Sequence, residues 1–224
     1  RFICGYSPLY TALMEQVQAR IINQRPGKLT AWLIDSNRAR HDRFGDSAYL
    51  LEPNLKEGQG GLRDYHTMAW IARIKSSIRE RRDLEFYGYL SHDEYQELEK
   101  ALAFIWHVRN RLHQLMGRKV DQLHLEHQRK LATAMEIDSR EGYQPVELLM
   151  GQLHEHMEFV KQRHNLFLYE LEQKKRLKRK NKQLKSTAIK GLKFNRGMLN
   201  FSAPQAIVKR PRLLLEVFLE SAVK

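Results

Sequence analysis

The chain has 224 residues, of which 42% are apolar and 29% charged, and a formal net charge of +13. That length allows one large core or two small ones, and no run approaches the ~18 consecutive apolar residues of a membrane-spanning helix. A single cysteine, Cys4, excludes an internal disulfide and agrees with a reducing compartment, so the cytoplasm is the expected location. The basicity is local: +10 of the charge falls between Lys174 and Lys193, where no acid occurs. Such a block reads as a tail or a solvated helix end. The opening Arg-Phe-Ile-Cys-Gly is too brief for a secretion signal and is expected to be a cut inside a larger domain.

Ser7-Pro8 predicts a helix start, a serine cap with proline in the first turn. Leu9, Ala12, Leu13, Val17 and Ile21 follow at helical spacing up to Pro26-Gly27. A second helix is expected over 29–44, with Leu29, Trp32 and Leu33 as its apolar stripe. Arg38, Arg40, His41 and Arg43 crowd its last turns, where the helix dipole favours cations. They either cap the helix or, in the case of Arg38 and His41, point toward the loop that follows.

That loop, Leu50 to Asp64, places a proline, three glycines and five charged side chains in fifteen residues. Gly58, Gly60 and Gly61 permit positive φ or close approach of a ligand. Gly60-Gly61 leads into an apolar helical pattern over 61–78, whose stripe includes Trp70, Ile74 and Ile78. Free N–H groups at that helix start, with Lys56 and Arg63 beside them, suit a phosphate- or nucleotide-facing loop. The same residues also suit a tight interdomain turn whose charges pair with one another. No Walker-type or dinucleotide fingerprint decides between the two.

Ser91 with Asp93 and Glu94 predicts a strong helix start. Leu98, Leu102, Ile105, Val108, Leu112 and Leu115 form a core stripe ending near Met116-Gly117. Trp106, Arg109 and His113 share an adjoining face, as a ligand-stacking edge or the wet side of a bundle. A shorter helix is expected over 121–135, and another from Pro145 carrying Leu148, Leu149, Leu153, Met157, Val160, His164 and Phe167 toward the lysines. The ten histidines lack metal-ligand spacing, because His124-x-x-His127 and His154-x-His156 have no matching second cluster; no metal site is expected. After the lysines, alternation around Asn195-Arg196-Gly197 predicts a β-hairpin, and Pro211 opens a last helix. The fold class is therefore mainly α: a bundle of about six helices with a small C-terminal β-hairpin. The expected division is a helical domain over 1–190, with the Gly-rich loop at 52–64, and a hairpin-plus-helix unit over 191–224.

Leu51-Glu-Pro-Asn-Leu-Lys-Glu-Gly-Gln-Gly-Gly-Leu-Arg-Asp64 closely resembles the signature that follows the nucleotidyltransferase core of bacterial PII uridylyltransferase/uridylyl-removing enzymes. Arg38-Ala-Arg-His-Asp-Arg-Phe44, Trp70-Ile-Ala-Arg73, Leu102-Ala-Phe-Ile-Trp-His-Val-Arg-Asn-Arg-Leu-His113, Pro145-Val-Glu-Leu-Leu-Met150 and the Arg196-Gly-Met-Leu stretch fit the same family. The lysine-rich insert between 173 and 193 is a weak match. The resemblance implies transfer of uridylyl from UTP to a tyrosine of the PII signal protein, with magnesium held by an Asp-x-Asp pair after a Gly-Ser turn. Those catalytic motifs do not occur here, so the chain is expected to be the substrate-side helical domain, without catalytic residues and inactive alone. Lys56, Gly58, Gly60, Gly61 and Arg63 are then expected to face the triphosphate or brace the catalytic domain. Glu52 and Asp64 would orient the loop, with Arg38, His41, Arg109 and His113 behind it. The alternative is a helical interaction module whose basic tail binds nucleic acid or an acidic partner. Against nucleic acid, the tail has no aromatic residue before Phe194 on which bases would stack.

Overall fold

The computed structural model describes residues 4–44, 51–76, 78, 80–140, 142–184, 192–195, 198–201, 210–212 and 215–216, with side chains as far as 173 and at the last five. Seven α-helices run through them: α1 (Ser7–Val17), α2 (Pro26–Phe44), α3 (Leu62–Ser76), α4 (Asp83–Phe86), α5 (His92–Met116), α6 (Leu125–Ala134) and α7 (Pro145–Leu184). A π-helical turn, Gln18–Ile22, continues α1. Packing divides the chain into two units, Arg1–Phe167 and Leu168–Lys224.

The first unit is built on α5. Ser91 caps it reciprocally: its hydroxyl accepts from the Glu94 amide at 3.2 Å, and the Glu94 carboxylate accepts from the Ser91 amide at 2.8 Å. Gly117, with φ 61°, ends the helix in the left-handed conformation. Leu98, Leu102, Ile105, Val108 and Leu112 are wholly buried, whereas Leu115, expected in the same stripe, is 39% exposed on the last turn. Ser91→Ala is expected to cost about 1 kcal/mol, read as a lower urea midpoint at unchanged slope. An unchanged midpoint would mean that the cap contributes nothing.

Helix α7 begins at Pro145, where the missing N–H is harmless, and buries Leu149, Leu153, Met157, Val160, His164 and Phe167. It lies beside α5, with Phe104 and His156 rings 4.8 Å apart and Arg163 bonded to Glu94. Helix α3 buries Leu62, Met68, Ile71 and Ala72.

Several expectations change. Helix α1 starts at Ser7 with Tyr6 at the cap and no side-chain cap bond, and it buries no residue: Leu9 is 69% exposed. Its apolar periodicity made a helix, but no described element covers that face. Helix α2 starts at Pro26 itself and buries Leu33 and Ile34, leaving Trp32 exposed. Trp70, expected in the buried stripe of α3, is 42% exposed. Helix α6 begins four residues later than the spacing predicts, because the backbone around 121–123 is committed to pairing with the loop. Arg81, expected as part of a solvated terminus, bonds the Tyr65 hydroxyl at 3.1 Å and Glu99 at 2.7 Å.

In the second unit the backbone of Leu192–Asn195 runs antiparallel to Met198–Phe201. The turn residues 196–197, the side chains of 174–193 and most of the helix expected from Pro211 lie outside the described residues, as do 45–50. Among the described residues no helix is long and apolar enough to cross a membrane.

Candidate functional site

The glycine-rich segment is held at three places. Its first half is zipped to the residues before α6. The Leu123 amide donates to the Pro53 carbonyl at 3.0 Å, the Leu55 amide to the Asp121 carbonyl at 2.8 Å, and Asn54 forms an antiparallel bridge with Gln122. Gln128 donates to the Leu51 carbonyl at 2.6 Å. The Glu52 carboxylate accepts from the Leu125 amide at 2.8 Å and meets His124 at 3.2 Å, so it caps α6 from outside the helix. The Leu125 bond, then the His124 contact, hold its carboxyl below the usual range.

The middle of the loop folds on itself. Asn54 Oδ1 accepts from the amides of Lys56 and Glu57 at 3.1 and 2.7 Å, a side-chain mimic of a backbone turn. The donors expected to be free at the start of α3 are taken: Leu62, Arg63 and Asp64 amides donate to the carbonyls of Leu55, Lys56 and Gly61. An anion finds no open backbone donor among them. The glycines serve this packing. A β-carbon on Gly58 or Gly61 would meet loop carbonyls at 2.7 and 2.9 Å, and one on Gly60 would stand 2.0 Å from the Met157 carbonyl oxygen of α7.

The third hold is a buried charge cluster. Asp64 is 0% exposed by side chain and accepts from the Gly60 amide and His41 Nε2, both at 2.8 Å, and from Arg40. Arg40 also bonds Asn37 and the Glu57 carbonyl, joining α2 to the loop. The His164 ring of α7 lies edge-on to His41 at 5.8 Å. Burial alone would push the Asp64 carboxyl up; the His41 hydrogen bond and the positive charge around it overrule this and hold it at about 2. Burial lowers the basicity of His164, opposed by the nearby Asp64 charge.

The cations of the loop are paired but reachable. Arg63 bonds Glu57 at 3.0 Å and Lys56 lies 3.5 Å from the same carboxylate, with side chains 31% and 23% exposed. Arg109 bonds Asp121 at 2.7 Å and stacks over Trp106 at 5.4 Å, and His113 meets Asp121 at 3.3 Å. Because the Asp121 carbonyl receives the Leu55 amide, Arg109 and His113 brace the loop from α5. Lys56, Gly58, Gly60, Gly61, Arg63, Glu52, Asp64, His41, Arg109 and His113 thus all belong to the loop or to what holds it. Arg38 lies on the exposed side of α2, 3.9 Å from Asp35, and Arg40 takes the inward position. Arg40, Asp121 and His164 were not among the candidate site residues. Arg40 had a signal in its neighbour His41, whereas the other two act through contacts distant in the chain.

Helices gripping a charged, glycine-rich loop define a loop-bearing helical unit. A family model described as GlnD PII-uridylyltransferase matches residues 30–168, and the chain belongs to that family. Similar proteins, each called bifunctional uridylyltransferase/uridylyl-removing enzyme, come from Bradyrhizobium sp. strain BTAi1 (36% identical over 67% of this chain and 16% of the relative) and Ruegeria pomeroyi (30% over 99% and 25%). A third, from Cereibacter sphaeroides, is 34% identical over 77% of this chain and 18% of the relative. The chain thus spans from about a sixth to a quarter of the length of these curated relatives. No solved structure matches.

Proposed function

We propose that this chain is the helical substrate-side domain of a PII uridylyltransferase, working in the cytoplasm beside a nucleotidyltransferase domain that transfers uridylyl from UTP to a PII tyrosine. In this reading residues 1–190 form the helical domain, and a hairpin with a terminal helix over 191–224 packs on it or leads onward. The observation that carries it is the loop itself: three holds fix its backbone while Lys56 and Arg63 keep partly exposed charges at its rim. A rigid backbone with reachable cations suits contact with a triphosphate or with an acidic surface of a catalytic neighbour.

In this reading magnesium is held by the catalytic neighbour. Among the described residues no group of three or more His, Cys, Asp or Glu could hold a metal ion, and Asp64 is already occupied by Arg40 and His41. The chain's own contribution is binding and positioning, so it should be inactive alone. Uridylylation of PII by the 224-residue chain with UTP and magnesium would refute that. In the full-length enzyme, Lys56→Ala and Arg63→Ala are each expected to weaken UTP binding or transfer by roughly tenfold, the scale of one charge-assisted hydrogen bond. An unchanged rate at unchanged thermal stability would leave the loop a purely structural hinge.

A further inference from the structure

A second feature lies on α3, away from the loop's backbone. A cavity of about 110 Å³ is lined by Ala69, Ile78 and Leu84 and by the charged Arg73, Glu80 and Arg81, with Tyr65 and Trp70 beside them. Trp70 is exposed yet fixed: its ring stacks on His66 at 5.8 Å and 17°, and the Arg63 guanidinium stands 5.8 Å from its centroid. Arg81 is fixed as well, over the Tyr65 ring at 5.3 Å and bonded to Glu99. Arg73 makes no ion pair among the described residues.

Three physical points select an occupant. Small-molecule pockets enclose roughly 300–1,000 Å³, so this cavity is too small for a nucleotide and suits one side chain of a partner. Exposed, immobilised Trp and Arg are the residues that dominate protein–protein binding, because little entropy remains for them to lose. Cations outnumber acids in the lining, Arg73 and Arg81 against Glu80, and the Arg63 guanidinium stands over the neighbouring Trp70 ring. We propose that this end of α3 docks an acidic segment of a partner protein, which seats one carboxylate side chain beside Arg73, close enough to Trp70 for its indole signal to report the contact. The proposal does not rest on the nucleotide reading of the loop.

The test reads the site directly, because the lysine-rich stretch would also attract acidic peptides. In the ¹⁵N-labelled 224-residue chain, the Trp70 indole N–H signal is identified with Trp70→Phe and followed during titration with a decaglutamate peptide. The expected result is a saturable shift of that signal, none with a decalysine peptide, and about tenfold weaker binding in Arg73→Glu with spectral dispersion retained. The proposal is overturned if the peptide moves only signals of the lysine-rich stretch, or if Arg73→Glu leaves the Trp70 shift unchanged. It is equally overturned if a thymidine decanucleotide moves the Trp70 signal and decaglutamate does not, which would make the face a nucleic-acid surface.

Discussion

Gly60→Ala is expected to lower the free energy of unfolding by about 3 kcal/mol or more, placing it among the most damaging single substitutions in the chain. The new β-carbon would stand 2.0 Å from the Met157 carbonyl oxygen and 2.6 Å from its carbon. Both atoms are backbone in the middle of α7, so neither swings aside as a side chain would, and the loop must lift off the helix. The φ of +73° adds roughly 1–2 kcal/mol for any residue with a β-carbon. Gly88 supplies the control: its φ is +68°, but nothing lies within 4 Å of an added β-carbon. Gly88→Ala should therefore cost only the conformational part. Urea unfolding of the two variants separates the effects, and equal losses would mean that the contact with α7 relaxes freely.

Asp64→Asn is expected to cost about 3–5 kcal/mol, the scale for removing one member of a buried ion pair. The change leaves Arg40, whose side chain is 10% exposed, without its counter-charge. It also takes an acceptor from the Gly60 amide. The pH dependence follows from the carboxyl being held at about 2, below the ordinary 3.8. A group whose folded value is depressed contributes stability above its unfolded value and loses it as pH falls through the folded one. The contribution of Asp64, about 2 kcal/mol, is therefore fully present above about pH 4 and lost between about pH 4 and pH 2. The stability gap between the wild-type chain and Asp64→Asn should narrow by about 2 kcal/mol across that window as the pH drops. A constant gap between them would show that the carboxylate charge is not what holds the cluster.

What could be read from sequence depended on how far apart the interacting residues lie. Helix α5 was legible because its cap, its stripe and its terminating glycine all act within a few residues. The start of α6 was not, because 121–123 is withdrawn from the helix by a segment 68 residues away. For α1 the periodicity gave the helix but not its surroundings, since a stripe of leucines looks the same whether or not anything covers it. The loop stood out by composition, and its glycines were marked for positive φ or close approach of a ligand; Gly60 takes the positive φ, and the atoms that come close are backbone. Which backbone approaches Gly60 was invisible, because Met157 lies in another helix much later in the chain. The inward turn of Arg40 rather than Arg38 is a matter of helical phase against a neighbour that no local pattern specifies.

The pairing of Asn54 with Gln122, and the seat of Gly60 on Met157, also set an order of events during synthesis. The loop is translated early, yet its partners emerge from the ribosome only after α5 has been made. A nascent chain halted at residue 120 can make the turn at Asn54 and the Arg40 contact but lacks the partners at 121–128 and the seat at Met157. Shape in this segment is thus completed late, as expected for contacts bridging long stretches of chain.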